Sequence, residues 1–207
     1  MNSDSQEATS YPRTIEDGGG SSMTFLGVST DANGVEQLSV LSRVAPGHGP
    51  PAHVHHQQDE EVTVREGRIG WVVGGGPEQF GGPGDTVRFP AGVEHRFWNA
   101  GEEDLIAEGT VNPPDNFEWF LTQIYASTKA NGGERPGLFD SAYLLTRYGS
   151  EFAMTDIPKP ITKVLFPVVA AVGRLLGRAD RFAGAPEPLP AAEAVARPRI
   201  REAAADA

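Results

Sequence analysis

The 207-residue chain contains no cysteine. Disulfide frameworks, thiolate metal sites and cysteine nucleophiles are therefore excluded. Basic residues are also scarce: 17 lysines and arginines stand against 28 aspartates and glutamates, which gives a formal net charge of −11. Binding to a nucleic-acid backbone requires concentrated positive charge. The composition therefore argues against nucleic acid as a partner.

Long hydrophobic runs are missing as well. The apolar stretch at residues 164–173 is interrupted by Pro167 and is too short for a helix that crosses a bilayer. Residues 1–20 are polar and lack the apolar core of a secretion signal. The sequence therefore predicts a cytoplasmic protein.

Glycine and proline, in contrast, are abundant, with 25 and 17 residues. Residues 35–44 alternate between apolar and polar side chains, as in a half-buried strand. Glycine-rich turn signals at residues 74–77 and 81–85 separate further short segments of strand length. This pattern is typical of an antiparallel sandwich or small barrel.

The periodicity changes after Pro114. Apolar residues then recur at the spacing of one helix face, beginning with Phe117. Two further apolar segments, residues 138–152 and 161–176, are also predicted to be helical. The predicted division is a flexible N-terminal arm (1–22), a β-barrel (23–112), a helical extension (113–182) and a disordered tail (183–207).

Histidines are concentrated near the start of the predicted barrel. On a strand, His53 and His55 present both imidazoles to one face, and Glu60 follows far enough along to return a carboxylate to it. A turn at residues 90–92 delivers His95 as a further imidazole. Three neutral nitrogens and one anionic oxygen suit divalent Fe, Mn, Co, Ni, Cu or Zn.

The stretches at residues 47–67 and 84–99 resemble the two signature motifs of the cupin superfamily. The first motif is matched position by position at Gly47, His53, His55, Glu60 and Gly67. The second is matched at Gly84, Pro90, Gly92, His95 and Asn99. The resemblance covers residues 23–112 and implies an all-β fold, the double-stranded β-helix or jelly-roll barrel, here followed by the α-helical extension. It also implies His53, His55, Glu60 and His95 as the metal ligands, but no particular reaction.

Some residues near the predicted metal site are candidates for further roles. Glu60 could leave the metal to take a proton, and His48, in the loop before two prolines, could act as an acid or base. Side chains that point into the barrel could line a substrate pocket or simply form its core. These pocket candidates are Val62, Val64, Trp71 and Phe97.

The favoured function is a mononuclear metal-dependent cupin enzyme that acts on a small organic molecule. We expect dioxygenase-like oxidoreductase chemistry, with Fe(II) preferred over Mn, Ni, Co, Cu or Zn. One alternative is a non-redox isomerase or a polyketide-cyclase-type enzyme, in which the metal polarises a carbonyl. The other is a non-catalytic module that binds a metal or small ligand.

The predicted helices cannot bury their apolar faces alone. They must pack on the barrel, on a second copy of the chain in a homodimer, or on a membrane surface. Packing on the barrel or in a homodimer is the favoured prediction. Residues 158–178 also permit surface contact with a membrane, because basic residues flank their apolar stretch. These flanking residues are Lys159, Lys163, Arg174 and Arg178.

Overall fold

The computed structural model describes residues 10–30 and 34–191. Over these ranges the chain forms a barrel of short strands followed by a helical segment. The strands are β1 (Arg13–Glu16), β2 (Ser22–Thr30), β3 (Glu36–Val44), β4 (His53–His55), β5 (Asp59–Glu66), β6 (Ile69–Val73), β7 (Gln79–Gly81), β8 (Thr86–Phe89), β9 (His95–Asn99), β10 (Leu105–Asn112) and β11 (Phe152–Met154). The α-helices are α1 (Phe117–Ala130), α2 (Leu138–Arg147) and α3 (Phe166–Leu175).

Two antiparallel sheets make up the barrel. The six-stranded sheet has the order β1-β2-β3-β10-β5-β8, and the five-stranded sheet has the order β11-β4-β9-β6-β7. Burial alternates along β5, where Glu60, Val62 and Val64 are buried and their neighbours are more exposed. This period of two places one face of each strand inside the barrel. The predicted fold, a jelly-roll barrel with a helical extension, is confirmed.

The hydrophobic core has two parts. One fills the barrel and includes Val64, Phe89 and Leu105. The other joins apolar side chains of β2, β3 and β10 to those of α1, α2 and β11. Its members Val111 and Leu38 are register partners, and Val111 also pairs with Glu60. Part of the apolar faces of α1 and α2 therefore packs against the sheet face that carries Glu60.

One part of the predicted helical extension is a strand. The helix expected at residues 138–152 ends with α2 at Arg147, and Phe152–Met154 forms β11 instead. Phe152 pairs with His55, and Met154 pairs with His53. The edge of β4 offers backbone N–H and C=O groups that need partners, and β11 supplies them.

The ends of the chain are described only in part. Within the predicted N-terminal arm, β1 pairs with β2, and residues 1–9 lie outside the described ranges. Within the predicted tail, the Pro186 carbonyl accepts a hydrogen bond from the Tyr148 hydroxyl at 2.7 Å. The backbone N–H of Leu189 donates to Glu151 Oε1 at 3.0 Å. Residues 192–207 lie outside the described part.

A π-helical turn, Ile161–Leu165, runs directly into α3. This region exposes an apolar stripe that includes Val164, Val168 and Val172. Among the described residues, no helix has the length and apolar character needed to cross a membrane. Contact of residues 158–178 with a membrane surface, like the homodimer, stays a prediction.

Candidate metal centre

Two adjacent strands of the smaller sheet bring the three imidazoles together. His53 on β4 and His95 on β9 are direct register partners, and their ring centroids lie 4.4 Å apart. His55 lies two residues further along β4, so its ring is on the same face, 4.8 Å from that of His53 and 5.3 Å from that of His95. The spacing in the sequence thus becomes a cluster inside the barrel.

The carboxylate comes from the opposite sheet. Glu60 lies on β5, and its Oε2 is 3.5 Å from Nε2 of His95. One ligand atom from each of His53, His55, Glu60 and His95 lies within 4.8 Å of all the others. The structure therefore brings together the four residues that the sequence predicted as ligands.

Hydrogen bonds to backbone carbonyls orient two of the rings. Nδ1 of His53 lies 2.7 Å from the Pro51 carbonyl oxygen, and Nδ1 of His95 lies 3.0 Å from the Val93 carbonyl oxygen. In the tautomer that donates these bonds, each Nε2 keeps its lone pair and faces the cluster. Metal-binding histidines are commonly fixed in this way.

Several polar atoms of the cluster are buried without a hydrogen-bond partner among the described residues. They are His55 Nδ1, Glu60 Oε2 and His95 Nε2. Buried polar atoms are rarely left unsatisfied, because desolvating them costs free energy. A divalent cation would satisfy nitrogen and oxygen donors together. The donor set therefore fits a metal ion.

The protonation states also suit a cation. Burial lowers the pKa of the His55 imidazole to about 3, and burial also lowers the pKa of His53. Burial alone would raise the pKa of Glu60, but the imidazoles of His95, His55 and His53 outweigh it and hold that pKa below its usual value. Neutral imidazoles and a charged carboxylate are the forms that bind metals.

The other residues predicted to act at the site lie outside this cluster of four. His48 is exposed, and its carbonyl accepts a hydrogen bond from the Asn99 backbone N–H. Val62, Val64 and Phe97 pack in the barrel core, with Trp71 against it. Their roles as acid–base group or pocket wall stay predictions.

Sequence reasoning missed a large cavity beside the cluster. It has a volume of about 840 Å³ and borders both His53 and His55. Its walls come mainly from α1, α2, β11 and the start of α3. The helical periodicity from Phe117 onward was visible in the sequence. The cavity that this helix face lines depends on contacts between segments that are far apart in the sequence.

Comparison with known proteins places the barrel in a family. Residues 40–107 match the family model described as "Cupin domain", and this segment contains all four cluster residues. Residues 40–107 are a cupin domain, so the predicted resemblance of the barrel to the cupin superfamily is confirmed.

Two curated relatives share part of this domain. "Oxidoreductase iacF" of Pestalotiopsis fici is 36% identical over 75 residues, which is 35% of this chain and 37% of that protein. "Probable oxidoreductase virH" of Hypocrea virens is 33% identical over 67 residues, or 31% of each protein. The chain thus matches about a third of the length of these relatives.

Among solved structures, the crystal structure of "a predicted oxalate decarboxylase" from Thermotoga maritima is similar, with a TM-score of 0.40 and 24% identity. The match covers 48% of this chain and 90% of that one.

Proposed function

We propose that the chain is a mononuclear, metal-dependent oxidoreductase that acts on a small organic molecule by dioxygenase-like chemistry, with Fe(II) as its metal. The observation that carries the proposal is the buried cluster of three imidazoles and one carboxylate, which borders a cavity large enough for a substrate. The names of the two oxidoreductase relatives support the redox class.

In this proposal His53, His55, His95 and Glu60 hold the ion. A bound divalent iron would supply a redox-active centre that also acts as a Lewis acid. The negative charge of Glu60 offsets part of the charge of the cation, and its carboxylate is the nearest group that can take a proton. The apolar cavity beside His53 and His55 orients the substrate and limits the access of water.

Metal analysis of the purified full chain tests the site. After reconstitution with Fe(II), Mn, Ni, Co, Cu or Zn in turn, we expect about one equivalent of transition metal per chain. His53→Ala should lose most of it. His56→Ala is the matched control, because His56 is adjacent in sequence but outside the cluster, and it should keep the metal. Wild-type protein that binds no transition metal would show the site assignment to be wrong.

Oxygen uptake then tests the reaction class. The Fe(II)-loaded protein is mixed with phenols and phenolic acids that carry alkyl chains, and both oxygen and product are followed. Oxygen consumption that matches product formation supports the proposal. Turnover without oxygen uptake would instead indicate the non-redox isomerase or cyclase class.

A further inference from the structure

The cavity beside the metal cluster is built largely by the segment that follows the cupin domain; we call it the C-terminal chamber. Residues from α1, α2, β11 and α3 form most of its wall, whereas the barrel contributes the two imidazoles and the prolines before them. Its principal apolar lining residues are Phe117, Phe120, Leu121, Ile124, Phe152 and Phe166. The ligand that this chamber accepts is therefore set by a part of the chain outside the cupin motifs.

The chamber is elongated along α1. At one end, the ring of Phe117 lies 5.5 Å from that of His55. At the other end, Asn131 lines the cavity just beyond the last residue of the helix. An α-helix rises 1.5 Å per residue, so these two lining residues are about 21 Å apart along its axis. A chamber of this length and a volume of about 840 Å³ suits a long, narrow molecule.

The wall between the two ends is mainly hydrocarbon, with Ser141 of α2 as a polar member. Phe120, Leu121 and Ile124 follow Phe117 along the same face of α1, and Leu145 of α2 adds to the lining. Removing apolar surface of a ligand from water against such a wall is favourable in proportion to the buried area. The body of the ligand must therefore be apolar over most of its length.

The charges at the two ends differ. Arg135 lines the end near Asn131, and it forms no ion pair with any residue in the described ranges. The end near the metal cluster carries carboxylates: Glu60 in the cluster, and Asp156, which lines the chamber and acts electrostatically on His53. An anionic group on the ligand is favoured at Arg135, whose guanidinium can bind a carboxylate with two parallel hydrogen bonds.

We propose that the C-terminal chamber binds an elongated, mainly hydrocarbon molecule with a terminal carboxylate, with the carboxylate at Arg135 and the other end beside His53 and His55. That the end beside the imidazoles is the one that reacts rests on the proposed function. The binding itself does not, since it depends on the chamber alone.

Calorimetric titration of the full chain tests the length and polarity of the ligand. The probes are straight-chain saturated carboxylates from hexanoate to tetradecanoate, with the primary alcohols of equal length as matched ligands. We expect the affinity for carboxylates to rise by up to about fourfold per added methylene until the chain fills the chamber. Each carboxylate should bind more tightly than its alcohol.

Two variants locate the ligand. Arg135→Gln should weaken carboxylate binding by about tenfold and leave alcohol binding unchanged. Ile124→Trp places a larger side chain midway along the chamber, so it should abolish binding of tetradecanoate and spare hexanoate. Val168→Trp, on the exposed side of α3, is the matched control and should change neither. Circular dichroism confirms that each variant is folded.

The outcomes separate this inference from the proposed function. Affinity that is independent of chain length, or equal losses for alcohol and carboxylate in Arg135→Gln, would overturn the inference even in an active enzyme. Length-dependent binding without metal-dependent turnover would sustain the inference and contradict the proposed function.

Discussion

At the scale of single residues, Asn99 shows how the second motif supports the metal centre without joining it. Its Nδ2 donates hydrogen bonds to the carbonyl oxygens of Val44 at 2.8 Å and Glu103 at 2.7 Å. Its Oδ1 accepts a hydrogen bond from the backbone N–H of Gly101 at 2.9 Å. Asn99 is 1% exposed and ends β9, the strand that begins with His95. It therefore ties this strand to β3 and to the following turn.

Replacing Asn99 with leucine should destabilise the fold. The substitution leaves two carbonyl oxygens and one N–H group without their buried partner, and we expect a loss of about 3 kcal/mol in the free energy of unfolding. Urea denaturation measures this loss. Thr86→Ala is a control, because it removes an exposed side-chain hydrogen bond to Thr63 and should cost less than about 1 kcal/mol. Equal losses in the two variants would contradict the structural role of Asn99.

At the scale of elements, the metal centre and the chamber differ in how far the sequence predicts them. The four ligands are set by local rules: strand periodicity aligns His53 with His55, and a tight turn precedes His95. The strand β11 has three residues, too few for a periodic pattern, and it exists because the edge of β4 pairs with it. The chamber depends on how α1, α2 and β11 meet, so local patterns predict the apolar face of α1 but not what it encloses.

The contact between α2 and α3 depends on a glycine. A Cβ atom on Gly173 of α3 would lie 1.8 Å from Cε2 of Phe139 on α2. The ring of Phe139 therefore occupies the space that any other side chain at position 173 would need. This close packing positions α3, which contributes Phe166 to the wall of the chamber.

Gly173→Ala sets two effects against each other. Alanine favours the helix by about 1 kcal/mol over glycine, whereas overpacking against Phe139 costs roughly 1–3 kcal/mol. We expect the overpacking to prevail, with a net loss of about 1 kcal/mol in the free energy of unfolding measured with urea.

A second variant isolates the cause of that loss. In a Phe139→Leu background the ring is gone, so Gly173→Ala should become neutral or stabilising, and the double-mutant cycle should show coupling between the two positions. Additive effects of the two substitutions would show that the ring contact does not limit position 173.

At the scale of the whole molecule, the fold holds the imidazoles of His53 and His55 neutral at a cost that depends on pH. The pKa of His55 is lowered from 6.5 to about 3, and the pKa of His53 is lowered as well. The segment after the barrel covers part of the cluster, since the ring of His55 lies 5.5 Å from that of Phe117 and 5.6 Å from that of Phe152. Desolvation of the imidazoles is thus a property of barrel and extension together.

The metal-free protein should lose stability on acidification. Below pH 6.5 the unfolded chain protonates these imidazoles and the folded chain does not, so the unfolded state binds more protons and the free energy of unfolding falls as pH falls. Each imidazole contributes up to about 1.4 kcal/mol per pH unit, and for His55 this continues towards its folded pKa of about 3. Urea denaturation in chelator at about pH 7.5, 6.5 and 5.5, a range that spans the titration of an ordinary imidazole, measures how the free energy of unfolding changes with pH. His55→Gln removes one such group, so the plot of the free energy of unfolding against pH should become shallower by the slope that corresponds to about one proton. A slope equal to that of the wild type would show that His55 is not held neutral by the fold.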